Sequence, residues 1–412
     1  MPRTDADEAR EMLRELHELT NTLGIPIVGS TMVKVRKPQA RYLVGGGTAE
    51  SVVEQANECD ADVIIFDDPL LPSQQRNWEE LSELAVIDRQ EVILDIFAGR
   101  AQTREARLQV QLARAFYSLP RLKRKWTHLH RQRGATGGMG MRGEGEQQLE
   151  VDSRLVRTRI AKLKEQLKEV RQHRHTQRSQ RMRKPVPVAA IVGYTNAGKS
   201  TLLNTMTDAG VFVEDKLFAT LDPTVRRVTL PNRQELLLAD TVGFIRKLPH
   251  SLVEAFKSTL EETFMADFLV EVVDATTDQL EERLETTRDV LTELGASEKR
   301  MITVFNKVDL VKDELTLRRL ARKYDDAIFV SAKTGQGIEE FRDRLALELS
   351  HGLERKHLRI PHSRHDLVAR LHRSCAVLEQ RHEDDAVYLT ADIPKQMLSE
   401  LAAFFLDSKE NC

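Results

Sequence analysis

The octapeptide GYTNAGKS, which runs Gly193, Tyr194, Thr195, Asn196, Ala197, Gly198, Lys199, Ser200, stands between two apolar stretches. PVPVAAIV precedes it, and the apolar-periodic TLLNTM, opening at Thr201, follows. A loop framed by two glycines and set between a strand and a helix is the context that a phosphate-binding P-loop requires. Gly193 and Gly198 permit the tight backbone path that turns successive N–H groups inward toward phosphate oxygens. Lys199 adds a point charge at the β and γ phosphates, the Ser200 hydroxyl can ligate Mg²⁺, and the helix that follows contributes its positive end. These residues predict a nucleoside triphosphate site.

Three further motifs follow in a fixed order, each after an apolar run. Asp240, Thr241, Val242 and Gly243 follow ELLLA, which places a carboxylate near Mg²⁺ and a glycine N–H near the γ-phosphate. Asn306, Lys307, Val308 and Asp309 follow MITVF. A carboxylate such as Asp309 can accept from the ring N–H and exocyclic amine of guanine, and adenine lacks that donor pair. Asn306 and Lys307 would hold the loop and cover the base. Ser331, Ala332 and Lys333 follow AIFV, where a backbone N–H can meet the guanine carbonyl oxygen. An adenine-binding alternative fits the P-loop alone but leaves the later motifs without a purpose. Between the P-loop and the Asp240 motif lie Phe218, Ala219, Thr220, Leu221 and Asp222, then Pro223 and Thr224. A threonine here can complete the Mg²⁺ shell and report the γ-phosphate. Thr220 is the preferred ligand beside Ser200, with Thr224 as the competitor. Lys199, Thr220 and Gly243 are the expected catalytic group.

With GYTNAGKS, FATLDPT, DTVGFI, NKVD and SAK in place, and with GEGEQQLEVD, LVGGGTAE and FDDPLLPSQQRN besides, the chain resembles the HflX family of ribosome-associated GTPases. The resemblance covers residues 43–349. It implies a GTPase that binds the large ribosomal subunit and its RNA and, in some members, splits stalled or idle ribosomes under stress. It also supports Thr220 as the switch threonine. Three departures stand out. Glu144 occupies a position where the family pattern has proline, Ser153 one where it has arginine, and a polar helix-like segment opens the chain where relatives begin with a strand.

Charge supports a polyanionic partner. The 412 residues carry a formal net charge of −2, yet residues 121–184 hold 19 Lys and Arg against 6 Asp and Glu. That local balance of +13 inside an otherwise acidic protein reads as a nucleic-acid surface. Cys59, Cys375 and Cys412 show no pairing pattern and read as reduced thiols of a cytoplasmic protein. No apolar run approaches ~20 residues, so no membrane span is expected, and peripheral membrane association is left open. His128, His130, His173 and His175 lie in arginine-rich surroundings and read as part of the basic patch rather than a metal site. A monomer is expected.

The predicted fold class is α/β: a P-loop GTPase domain with a doubly wound, mainly parallel sheet, preceded by a small α/β domain and a long antiparallel helical hairpin, and followed by a small α+β segment. The expected boundaries are 1–103, 104–184, 185–350 and 351–412. In the first domain IPIVG, VIIF and EVILDIF (91–97) read as strands, and SVVEQANE and NWEELSELA as helices. Gly45, Gly46 and Gly47 read as a tight turn, with a second nucleotide site as the alternative. The hairpin has a heptad seam of Leu108, Leu112, Ala115, Phe116 and Leu119 facing Leu149, Val156, Ile160, Leu163, Leu167 and Val170. Its tip, residues 134–146, holds six glycines and suits a probe inserted into folded RNA. In the GTPase domain SLVEAFKSTLEETF and GIEEFRDRLALEL read as amphipathic helices. Residues 351–365 read as a polar link, DLVARLHRSCAVLEQ as a helix and AVYLTADI as a strand, in a tail too short to bury much by itself.

Phe244 follows Gly243 directly, where small signalling GTPases have a glutamine that orients the attacking water. Slow turnover that a partner stimulates is therefore expected. Asn196 in the P-loop suggests, by the resemblance, a K⁺ ion beside the phosphates in addition to Mg²⁺.

Overall fold

In the computed structural model, which describes residues 6–125, 142–181, 186–207, 217–247, 265–350, 353–383 and 385–406, the first apolar runs sort into strand and helix by their caps. VIIF is β1 (Val63–Phe66), and its parallel partner is β2 (Ala85–Asp88), with Val63 opposite Ala85. Asp88 ends β2 and accepts a hydrogen bond from the Glu91 N–H at 3.1 Å, capping α4 (Arg89–Arg100). EVILDIF is therefore helix, correcting the expected strand. Its Val92, Ile93, Leu94, Ile96 and Phe97 are all buried, and a helix apolar around most of its circumference shows no period to distinguish it from a strand.

IPIVG is also corrected: residues 25–35 join no ladder, and 26–41 are exposed throughout. Pro26 lacks a ladder donor and Gly29 has no side chain to pack, so burial does not draw this run into the sheet. The polar opening segment forms α1 (Ala6–Thr22), which buries Leu16 and Leu19. Gly45 is an extended cap, and Gly46 and Gly47 begin α2 (Gly46–Glu58) in place of the expected tight turn. In α3 (Pro72–Ser82), Pro72 occupies the first turn, where its missing N–H costs nothing. Trp78 of α3 is fully buried and donates from Nε1 to the Tyr42 carbonyl at 2.9 Å.

From Val156 onward the heptad seam closes as its spacing predicts. Leu108, Leu112 and Ala115 of α5 (Arg104–Lys125) and Ile160, Leu163 and Leu167 of α6 (Arg142–Arg181) form one buried cluster, with Phe116, Leu119, Val156 and Val170 packed on it. The tip expectation is corrected in part. Residues 142–146 begin α6 and are helical rather than loop. Residues 134–141 and Cys412 lie outside the described residues.

A second compact unit comprises residues 175–213, 223–245 and 260–412; the first comprises 1–174 with 214–222 and 246–259. The second unit holds a six-stranded sheet in the order β4-β5-β3-β6-β7-β8, built from β3 (Val188–Val192), β4 (Thr224–Thr229), β5 (Glu235–Asp240), β6 (Phe268–Asp274), β7 (Met301–Asn306) and β8 (Ile328–Phe329). All neighbours are parallel except β4, antiparallel to β5. The helices α7 (Lys199–Thr207), α8 (Leu280–Glu293), α9 (Glu314–Lys323) and α10 (Ile338–Ser350) connect or flank these strands. This is the expected doubly wound fold, and GIEEFRDRLALEL is α10; SLVEAFKSTLEETF lies outside the described residues.

The C-terminal region departs from expectation. Most of residues 351–365 is β9 (Leu353–Pro361), and the predicted long helix divides into α11 (His365–Ser374) and β10 (Ala376–His382). AVYLTADI is β11 (Ala386–Pro394), the central strand between β9 and β10, followed by α12 (Lys395–Leu401). The tail buries its own cluster, including Leu358, Ile360, Leu371, Leu389 and Ile393, so it does have a core. Alternation of Leu358 and Ile360 with charged residues in β9 masks a half-buried strand as a polar link.

Glu271 sits in β6 between Val192 and Thr303, fully buried. Burial pushes its carboxyl up to about 7 against the lowering effects of Arg288 and Thr303. Because the folded state holds this proton more tightly, stability is retained at low pH and lost as pH rises from 4.5 toward about 7. Denaturant unfolding at pH ~5 and ~8 should show a loss in the wild type, at most about 3 kcal/mol, that Glu271→Gln removes. Identical pH slopes for the two proteins would contradict this.

Candidate nucleotide site

Each motif of the second unit emerges at the C-terminal end of a sheet strand, where open α/β sheets hold their ligands. The P-loop follows β3, the Asp240 motif ends β5, and the Asn306 motif ends β7, with Ser331 two residues beyond β8. Gly193 has φ +140°, and a Cβ there would lie 2.2 Å from the Val272 carbonyl oxygen of β6. At Gly198, φ +90°, a Cβ would lie 2.3 Å from Asn306 Nδ2. Both glycines are required by close approach as well as by φ.

Asn306 is the junction of the site. It is buried; its Nδ2 donates to the Ala197 carbonyl at 2.9 Å, and its Oδ1 accepts from the Ala332 N–H at 3.0 Å. The P-loop and the Ser331–Lys333 loop are thereby fastened to the end of β7. Thr205 Oγ1 adds a bond to the Ala332 carbonyl at 2.6 Å. With the Ala332 N–H engaged, the Lys333 N–H has no hydrogen-bond partner among the described residues.

Lys199 is buried and donates to the carbonyls of Gly193 at 3.2 Å and Tyr194 at 2.8 Å. Burial pushes it down to about 8, and Asp240 opposes that shift. Ser200 Oγ donates to Asp240 Oδ2 at 2.6 Å, so a hydroxyl and a carboxylate meet beside the P-loop lysine. Hard oxygen donors of this kind fit Mg²⁺. Thr241 is buried and donates to the Ile191 carbonyl, locking β5 against β3. Val242 is buried as well. Gly243 allows the P-loop to approach: a Cβ there would come within 2.6 Å of Thr195 Cα and 3.0 Å of Lys199 Nζ. Thr195 N–H donates to the Phe244 carbonyl and Phe244 N–H to the Gly193 carbonyl, so the two loops pair as a short parallel bridge centred on Tyr194. Phe244 is 1% exposed and buried as core, unavailable to orient water.

Asn196 lies in the left-handed region at φ +59°. Lys307, at φ +64°, pairs with Asp274 of β6 at 2.9 Å. Burial raises the Asp274 carboxyl, but Lys307 and the Thr276 hydrogen bonds outweigh it and hold the group below its usual range. Asp274 was missed in the sequence; its signal is the apolar run FLVEVV ending in an acid, the same grammar as ELLLAD. Val308 is buried and donates to the Val330 carbonyl, whereas Asp309 is exposed. Ser331 is buried, with its N–H on the Gln336 carbonyl. Residues 217–222, which include Phe218, Ala219, Thr220, Leu221 and Asp222, fold with the first unit instead. Phe218 and Leu221 are buried there.

Residues 10–98, 100–181 and 188–307 match families described as GTP-binding GTPase N-terminal, GTP-binding GTPase Middle Region and 50S ribosome-binding GTPase. Over 416 residues the chain is 48% identical to a protein called GTPase HflX from Akkermansia muciniphila, across 98% of this chain and 94% of that one. Identity to GTPase HflX of Escherichia coli strain K12 is 42% over 390 residues, covering 94% and 91%. Among solved structures, it is similar to a GTP-binding protein from the hyperthermophilic archaeon Sulfolobus solfataricus in complex with GDP, at 24% identity and a TM-score of 0.43, covering 83% of this chain and 97% of that one.

Among the described residues the exposed Asp309 carboxylate has no side-chain partner, which leaves both oxygens for a base. Changing Asp309→Asn should weaken GTP binding by about 1 to 3 kcal/mol and strengthen binding of xanthosine triphosphate, since the amide can donate where the carboxylate accepts. A nucleotide titration showing unaltered GTP affinity would remove Asp309 from base recognition.

Proposed function

The chain belongs to the HflX family of GTPases, and from that premise we propose that it couples GTP hydrolysis to binding of the large ribosomal subunit and to dissociation of stalled or idle ribosomes under stress. The enzyme is a GTPase. The observation that carries the site assignment is the Asn306 side chain, which ties the P-loop to the loop that follows β8. In this reading Gly193–Ser200 and Thr201 cradle the phosphates, Asp309 and the Ser331–Lys333 loop read guanine, and Lys307 covers the base while Asp274 fixes its stem. Ser200 and Thr220 serve Mg²⁺, whose bound charge neutralises the phosphate oxygens. Lys199 and the Gly243 N–H stabilise the transferring phosphoryl group. The division into 1–103, 104–184, 185–350 and 351–412 is kept as the functional one, with the basic hairpin as the RNA-contacting arm.

Phe244 is buried and its ring has no hydrogen-bonding group with which to orient water. The reading is a slow enzyme that the ribosome stimulates, with K⁺ near Asn196 supplying charge beside the phosphates. A role in large-subunit assembly, where hydrolysis resets an RNA-binding switch, is the second reading. The basic balance of residues 121–184 serves it equally well. The site lies in a cytoplasmic protein in either case, and among the described residues no helix is long and apolar enough to cross a membrane.

Sedimentation of intact ribosomes with the protein and a non-hydrolysable GTP analogue, run in potassium and sodium salts at equal ionic strength alongside GTP turnover, tests the whole reading. Release of free subunits and faster turnover in potassium are expected. Association with immature large subunits alone would favour the assembly role, and equal turnover in the two salts would eliminate K⁺.

A further inference from the structure

The segment that carries Thr220 is anchored to the N-terminal half of the chain at two points. Phe218 sits at φ +54°, an uncommon conformation for a bulky side chain, and its buried ring stands edge-on to Phe97 of α4 with centroids 4.7 Å apart and planes at 82°. Asp222 makes the second anchor. Its Oδ2 accepts from the backbone N–H groups of Gln102 at 3.2 Å and Thr103 at 3.1 Å, and its Oδ1 accepts from Thr103 Oγ1.

Thr103 is itself the cap of α5: its hydroxyl accepts from the Ala106 N–H at 3.1 Å and its carbonyl from the Arg107 N–H at 3.1 Å. Asp222, 119 residues away in sequence, thus supplies a carboxylate at the start of the hairpin's first helix, where N–H groups lack helical partners and the dipole favours negative charge. A parallel link lies beyond Gly243. Lys247 Nζ donates to Asp67 at 2.7 Å and Asp68 at 3.0 Å, and Asp67 also holds the buried Arg89 at 2.7 Å. Segments on both sides of the Asp240 motif are therefore fastened to the N-terminal unit.

Thr220 and Asp222 are two residues apart, at most about 7 Å of chain, so one cannot travel far without the other. A threonine that serves the metal in one nucleotide state only has to change position, and the Asp222 carboxylate lies within reach of that motion. We propose that Asp222 is a positioning residue that couples the nucleotide state of the 217–222 segment to the basic hairpin, capping α5 in the GDP state and leaving Thr103 in the GTP state. This rests on the assignment of Thr220 to the Mg²⁺ shell. By reciprocity of linkage, a polyanion held on the hairpin shifts the preference between GDP and GTP by the same factor.

Hydrogen exchange of the Gln102 and Thr103 amides in the full chain reads the cap directly, because those N–H groups are its donors. With Mg²⁺ present, the wild type should exchange there on the order of tenfold faster with a non-hydrolysable GTP analogue than with GDP. Asp222→Ala should exchange quickly in both, and Thr103→Ser should behave as wild type whereas Thr103→Val, which keeps both amides but loses the hydroxyl bond to Asp222 Oδ1, should show a smaller nucleotide dependence. If Asp222→Ala loses its far-ultraviolet circular dichroism, the Thr103→Ser and Thr103→Val pair decides. Equal exchange in a wild type shown by titration to bind both nucleotides would overturn the coupling alone, as would a difference that persists in Asp222→Ala. A wild type that binds neither nucleotide would overturn the functional reading together with the coupling.

Discussion

The Asn306 amide is the interaction on which the nucleotide site depends. One side chain uses its donor on the P-loop and its acceptor on the loop after β8, so two separate loops are held to one strand end. The arrangement works because Asn306 is buried, where a hydrogen bond left unmade costs about 1 to 3 kcal/mol and both partners are therefore held. Gly198 is its necessary counterpart. Any side chain at that position would occupy the space of Nδ2, so the second glycine of the P-loop serves the Asn306 contact as much as it serves the phosphates. Neither residue explains the site without the other.

A different logic governs the N-terminal unit. There the polar contacts join distant parts of the sequence: Asp222 to Thr103, Lys247 to Asp67, and Arg89 to both Asp67 and Glu15. Arg89 is buried, and its two carboxylates offset the cost of taking its charge out of water. These contacts make the segments around the Asp240 motif part of two structures at once by chain connectivity and by bonding.

How much of this was legible from the residues depended on how local the determining physics is. The phosphate and guanine motifs could be read because strand, loop and helix start are set by a dozen contiguous residues, and their chemistry fixes residue type at each position. The hairpin seam was legible for the same reason, since a heptad repeat needs no knowledge of the partner. EVILDIF was not, because its helix is apolar on most sides and the deciding signal is the single capping Asp88. IPIVG has strand composition but no strand to pair with. In residues 353–382 the alternation of β9 and β10 is diluted by Arg and His on the open face, so a three-stranded sheet resembled a basic link and a helix. The Asp222 cap could not be read at all, because nothing near Asp222 announces a helix that begins 119 positions earlier.

Titration of Asn306→Ala with a fluorescent GDP analogue, paired with its circular dichroism, tests the junction most directly. Removing the amide leaves the Ala197 carbonyl and the Ala332 N–H without their shared partner, and GDP affinity should fall roughly ten- to a hundredfold while the secondary structure stays intact. Unchanged GDP affinity in a folded Asn306→Ala protein would contradict the account, because the loops would then be shown to hold their places without the bonds assigned to them.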